Sequence, residues 1–331
     1  MTLRRRILFI GGSGVISTAC VRAAVAARHD VSVLNRGRST RALPDGVREL
    51  RADVRDADAV VAAVGERPFD VVADFLSFVP EHLETVLSTV GERAGQYIFI
   101  SSASAYEKPP RRLPITESTP LRNPFWQYSR DKIACEDLLI SAHRERGLPV
   151  TIVRPSHTYD DTLLPTLGGW TDIARMRAGR PVIVHGDGSS LWTLTHSDDF
   201  AVGFTGLLGN PAAIGEAFTI TGSHTPTWDQ IYLWLAEAAG VDAPDLVHVA
   251  SDTIAAAAPD LGPGLLGDKA HSVVFDATRV RELSPEFRTT ITFDEGARRI
   301  LAHYEAHPEL QQVDPELDEL FDRLAAHAAS V

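Results

Sequence analysis

The chain has 331 residues, 44% hydrophobic and 23% charged, with 24 Gly and 20 Pro, enough for one large core or two unequal lobes. A net charge of −12 argues against a general nucleic-acid binder, and no apolar run approaches the ~18 residues of a membrane span. The basic start "MTLRRR" leads into "ILFI", too short an apolar run for a secretion signal, so a cytoplasmic protein is expected. Cys20 and Cys135 fit neither a metal spacing nor a disulfide framework and read as core packing; no metal site is expected.

"ILFI" (7–10) is a buried-strand run, followed by Gly11-Gly12-Ser13-Gly14, an alanine-rich helix to about Arg28 and a second strand, "VSVL" (31–34). Strand, glycine turn, helix and strand make a nucleotide-binding βαβ unit. The glycines let the backbone turn tightly against a pyrophosphate whose charge sits at the helix N-terminus. Gly11, Gly12, Ser13, Gly14, Val15 and Ile16 are therefore expected against the cofactor. Ser17 stands where a third glycine is usual and is still small enough for close helix packing. The second strand runs into Asn35-Arg36-Gly37-Arg38, with Arg41 following and no carboxylate. A carboxylate there would bond the ribose hydroxyls of NAD, whereas an arginine fork suits the 2′-phosphate of NADP. NADP is the expected cofactor, with NAD as the alternative, and Asn35, Arg36 and Arg38 are expected to face it.

"VRELRADVRD" (47–56) gives a third strand ending at Asp53, expected at the adenine edge with Val54 packing on the ring. Strands at 69–78 and 95–106 follow, with helices at 56–65 and 80–92 between them. That alternation predicts an α/β fold, a Rossmann-type doubly wound parallel sheet covered on both faces. In "FWQYSRDKIACEDLL" (125–139), Tyr128 precedes Lys132 by four residues, one of only three lysines among 32 basic residues. On a helix the pair shares a face; the spacing alone fits a reactive phenol and ammonium, or a packed Tyr with a solvated Lys. Beyond about residue 155 the rhythm breaks. Residues 1–155, with about 185–210, read as the dinucleotide-binding domain, and the remainder of 156–331 as a smaller C-terminal substrate-binding lobe. In "HSDDFA", Ser197 is expected to cap a helix with Asp198 and Asp199 in its first turn.

Taken in order, "GGSGVIS", "FISSASAY", "PITESTPLRNP", "YSRDK" and "VRPSHTY" resemble the extended and atypical short-chain dehydrogenase/reductases, the NAD-dependent epimerase/dehydratase family. The resemblance continues through "GDGSSLWTLTHSDDFA" (186–201) and the C-terminal "FDATRVRELSPEFRTTITFDEGARRIL". It implies that Tyr128 is the general acid/base, Lys132 its electrostatic partner and Ser102 the hydroxyl on the reacting oxygen, with Ser104 a second contributor. Ser101 and Pro155 are placed beside the cofactor. The physics agrees, since a phenol must lose about 3 pKa units, or ~4 kcal/mol, to act as a base at neutral pH. A nearby ammonium and an oxidised nicotinamide both push that way.

The resemblance thus implies an NAD(P)-dependent epimerase or oxidoreductase acting on a hydroxyl or keto group of a sugar or sugar-nucleotide-like substrate. The alternatives are an NADPH-dependent ketoreductase on a non-sugar carbonyl and an RNA-binding relative without turnover, as in chloroplast stem-loop binding proteins. Ala103 after Ser102, and Glu107 beyond Tyr106, weaken dehydration. His157 replaces an Asn, and Trp192 an Arg that grips the substrate diphosphate in many nucleotide-sugar members; Arg175, Arg177, Arg180 and Arg288 are the substitutes on offer. A homodimer is expected, through the helix of Tyr128 and the helix at about 80–92. In "GDKAHSVVFD" (267–276), "SVVF" reads as a strand, so Lys269 and His271 would point to one side and anchor an anionic substrate group.

Overall fold

Strand β1 (Arg6–Ile10) buries four of its five residues, as a strand must when its sheet is covered on both faces. The computed structural model describes residues 3–39 and 41–330. After β1 the chain alternates: α1 (Val15–Ala26), β2 (Asp30–Asn35), β3 (Arg48–Arg51), α2 (Ala57–Val64), β4 (Val71–Asp74), α3 (Pro80–Thr89), β5 (Tyr97–Ile100), α4 (Gln127–Arg146) and β6 (Val150–Pro155). Two short parallel pairs follow, β7 (His157–Tyr159) with β9 (Leu194–His196) and β8 (Val182–His185) with β11 (Leu246–Val249). Between them stand α5 (Trp170–Arg177), α6 (Ser197–Thr205), β10 (Glu216–Ile220) and α7 (Trp228–Ala238). The central sheet is seven-stranded and wholly parallel, in the order β10-β6-β5-β4-β1-β2-β3.

Alternate strand residues feed two different cores, the consequence of a period of two. Ile7, Phe9, Val31 and Val33 pack with Cys20 of α1 and with Phe200 and Phe204 of α6. Leu8, Ile10 and Leu34 pack with Leu83 and Val86 of α3 and with Cys135 and Leu139 of α4. Both cysteines are free and buried, on opposite faces of the sheet. A third cluster gathers Trp170, Trp192 and Trp228 with Phe293 and Ile300.

The structure departs from the sequence reading in three places. Glu216–Ile220, in the stretch assigned to the substrate lobe, is the seventh strand, carrying Phe218 and Ile220 into the α1–α6 core. The cap of α6 is His196 rather than Ser197: Asp161 holds its Nε2 at 3.1 Å, leaving Nδ1 to accept the Asp198 N–H at 3.2 Å. "SVVF" makes only an isolated parallel bridge, Phe275 with Ile115, and Leu265–Lys269 is a wide helical turn, so the same-side argument for Lys269 and His271 does not apply. Helix α3 packs Leu83, Val86 and Leu87 into the core and shows Glu81, Glu84 and Ser88 outward.

Candidate active site

The strand order reverses at β1, with β2 and β3 on one side and β4 and β5 on the other. The crevice beyond the C-terminal strand ends at such a switch point is where α/β sheets bind ligands. A cavity of about 470 Å³ opens there. Gly11, Ser13, Gly14 and Ile16 line it from the first turn, Asn35, Arg36 and Arg38 from the end of β2, and Ser101, Ser102, Tyr128, Lys132 and Pro155 from β5, α4 and β6.

The turn is built for a close neighbour. Gly11 has φ +82°, and a Cβ there would stand 2.5 Å from Leu76 Cγ. Gly12 does not line the cavity; a Cβ on it would meet the Val33 methyls at 2.7 Å. Gly14 then opens α1, whose unpaired N–H groups and positive dipole end attract an anion. Ser17 is more than a small residue, because its Oγ accepts the Gly14 N–H at 2.8 Å and fixes the turn. These features fit the diphosphate of a dinucleotide. Val15 is not part of the lining.

Arg36 and Arg38 both line the β2 end, and Arg36 is 3.9 Å from Asp53. Arg41 is turned away, bound to Asp160 and to Thr162. Asp53 accepts the Arg55 N–H at 3.1 Å, which holds its carboxyl below the usual range. Neither Asp53 nor Val54 lines the cavity, and Val54 is buried in the core beside Leu34.

Ser102 and Tyr128 line this cavity and also a second one, of about 270 Å³, beyond it. Ser102 Oγ lies 2.9 Å from Ser104 Oγ, which accepts the Ser129 hydroxyl at 2.8 Å. Lys132 is buried and donates to the carbonyls of Ser77 (2.7 Å) and Ile100 (2.8 Å). Burial draws its pKa down to about 8. The Tyr128 ring sits 4.9 Å from that of Trp126. Burial raises its pKa, the Ser102 hydroxyl opposes that rise, and Asp268 adds to it. At neutral pH it is a phenol.

The second cavity brings Ser104, His157, Trp192 and Lys269 together with Asp268. The Trp192 indole N–H donates to His157 Nδ1 at 3.0 Å. His271 is elsewhere: its Nε2 bonds the Leu266 carbonyl at 3.0 Å and its ring lies beside Phe125. Three of the arginines offered as substitutes are committed, Arg175 and Arg180 to Asp318 and Asp322 and Arg177 to Glu305. Arg288 is not in the lining.

Several residues here escaped sequence reasoning. Glu136, one turn beyond Lys132, is fully buried and takes Arg154 of β6 through both oxygens, Nε at 3.0 and 3.2 Å. Its Oε1 also accepts the Ser101 hydroxyl at 2.5 Å, so that hydroxyl serves the network instead of facing a ligand. Arg154 continues to Tyr106 at 3.1 Å. The i,i+4 spacing of Lys132 and Glu136 was a readable signal. Asn123 binds the carbonyls of Ser104 (2.9 Å) and Gly267 (2.7 Å), tying the Lys269 turn to the start of α4. No sequence pattern marks that contact.

A glycine turn at a switch point, faced by Ser102 after β5 and by Tyr128 and Lys132 of α4, is the arrangement of a Rossmann-type dinucleotide-binding fold. Residues 7–221 match the NAD dependent epimerase/dehydratase family, and the chain belongs to that family of enzymes. It is 31% identical over 233 residues to a 2′-dehydrokanamycin reductase of Streptomyces kanamyceticus, covering 69% of this chain and 64% of that protein. It is 30% identical over 257 residues to the chloroplast stem-loop binding protein of 41 kDa b of Arabidopsis thaliana, covering 74% and 66%. The matched stretch thus spans just under two thirds of each of these relatives. In fold it resembles the UDP-glucose 4-epimerase of Thermus thermophilus in complex with NAD, with a TM-score of 0.70 at 21% identity over 91% of this chain and 99% of that one.

Proposed function

We propose that this protein exchanges a hydride and a proton at a hydroxyl or keto group of a sugar or sugar-like substrate, as an NADP-dependent epimerase or oxidoreductase. One observation carries the reading: Ser102 and Tyr128 line both cavities, so the acid/base hydroxyl stands where a dinucleotide compartment meets a substrate compartment. Bound in the larger cavity, the dinucleotide supplies a hydride donor or acceptor at its nicotinamide C4. Tyr128 gives its proton to the oxygen of a ketone as that carbon is reduced, and takes it back in the reverse direction. Ser102 holds the same oxygen by a hydrogen bond. Lys132, fixed on two carbonyls, keeps a third N–H for a ribose hydroxyl and a positive charge that favours the phenolate.

Arg36 and Arg38 in the lining support NADP over NAD. Dehydration is disfavoured, because Asp268 is the sole carboxylate lining the second cavity and Lys108 holds it at 2.7 Å. Glu107 pairs with Arg111 at 3.2 Å. The free, buried cysteines suit the cytoplasm. A reductase is the second reading, favoured by a Tyr128 that rests as the proton donor.

The test is to denature the purified protein, identify any dinucleotide it releases and titrate the stripped protein with NADP and NAD. Tight retention supports hydride recycling, as in an epimerase; exchange supports a reductase. Binding of neither would overturn the reading.

A further inference from the structure

The second cavity holds a charge that no side chain neutralises. Lys108, fully buried, is paired with Asp268, the cavity's one carboxylate. The adjacent Lys269 Nζ has no ion-pair or hydrogen-bond partner among the described residues, yet its backbone is firmly placed. His185 Nε2 and the Trp228 indole N–H both donate to its carbonyl, at 3.0 and 3.2 Å. Lys108, Asp268 and Lys269 together leave one positive charge.

His157 adds no second one. Burial, and then the Lys269 charge, hold its pKa to about 3, so the imidazole is neutral. Its Nδ1 accepts from Trp192, which leaves the ring proton on Nε2 as a donor. The cavity therefore offers one unpaired ammonium beside neutral donors, the His157 N–H and the hydroxyls of Ser102, Ser104, Ser156 and Tyr128, a match for one anionic group and a poor one for a diphosphate.

We propose that this site takes a compact, non-nucleotide substrate bearing a single anionic group, a carboxylate or a phosphate monoester, held by Lys269 and the His157 N–H while its hydroxyl or keto carbon faces Tyr128. The proposal rests on the function argued above and narrows its substrate class.

Four probes test it by calorimetry on the whole protein with NADP present: glucuronate, glucose 6-phosphate, glucose and UDP-glucose. At least one anionic monosaccharide should bind tenfold or more tighter than glucose, and UDP-glucose no tighter than glucose. The two anionic arms separate carboxylate from phosphate. Lys269→Met should erase the preference with NADP affinity unchanged, and Lys269→Arg should keep it, which guards against a variant that merely misfolds. Equal affinity for the three monosaccharides, tightest binding of UDP-glucose, or a preference that survives Lys269→Met would overturn the proposal. Failure of NADP to bind would instead sink the cofactor reading; the anion preference is read without turnover.

Discussion

Tyr128 and Lys132 share a face of α4 but do not bond each other: the ammonium is 5.9 Å from the tyrosine ring and is anchored on backbone carbonyls. In the mechanism proposed above, Lys132 acts on the phenol through space and Tyr128 alone carries the transferable proton. Tyr128→Phe should lower kcat by at least ~10², the scale of acid/base catalysis, with NADP affinity nearly unchanged by calorimetry; comparable turnover would remove Tyr128 from the chemistry. At the other end of the cavity, Arg36 is half exposed and only loosely paired with Asp53, so it is available to a phosphate. Arg36→Ala should weaken NADP by ~1.5–3 kcal/mol, the worth of a hydrogen bond to a charged group, and leave NAD binding unaltered. Equal losses for both dinucleotides would show that the arginine does not read the 2′-phosphate.

At the scale of elements, α4 carries both Tyr128 and Lys132, and the buried Glu136–Arg154 pair joins it to β6 beside Pro155. Breaking such a pair leaves an uncompensated buried charge, at a cost of ~3–5 kcal/mol. Glu136→Gln should lower unfolding stability by that order in urea titrations; a change below ~1 kcal/mol would mean that Arg154 finds another partner. β1, β2, β4 and β5 were legible as near-continuous apolar runs and α2 by its Asp56 cap, whereas β3, a polar edge strand (Arg48–Arg51), was read from its place in the alternation. β10 was not, since its Glu and Thr dilute the apolar signal in a strand of five residues. The turn at Lys269 was read as extended because two valines and a phenylalanine suggested a strand. Its shape is dictated instead by Asn123 on Gly267 and Trp228 on Lys269, contacts across 144 and 41 residues. The cofactor turn could be named from local pattern, and the Ser-Tyr-Lys set from the ordered motifs that resemble the family. Lys108 closing on Asp268 is a contact across 160 residues, and no local pattern reports it.

The whole molecule has a predictable acid limb. His157 and His185 are held neutral by burial, with pKa values of about 3 and about 4, against an ordinary 6.5 in the unfolded chain. As pH falls below 6.5 the unfolded chain takes up protons that the folded chain refuses, so stability falls. Asp172 acts oppositely: burial raises its carboxyl to about 6, so there the folded chain binds the proton first. Two imidazoles outweigh one carboxyl. The urea midpoint should therefore decline from about pH 6.5 towards 4, and a midpoint that holds or rises over that range would contradict the burial described.

All three lysines of the chain converge on the two cavities or on the ion pair behind them, and the account stands on the junction between those cavities. A crystal structure with NADP bound tests that junction most directly. The diphosphate should lie on the Ser13–Gly14 turn at the start of α1, the 2′-phosphate beside Arg36 and Arg38, and the nicotinamide against Ser102 and Tyr128 with C4 open to the second cavity. A nicotinamide ring lying away from Tyr128, or closed off from the cavity of His157 and Lys269, would contradict it.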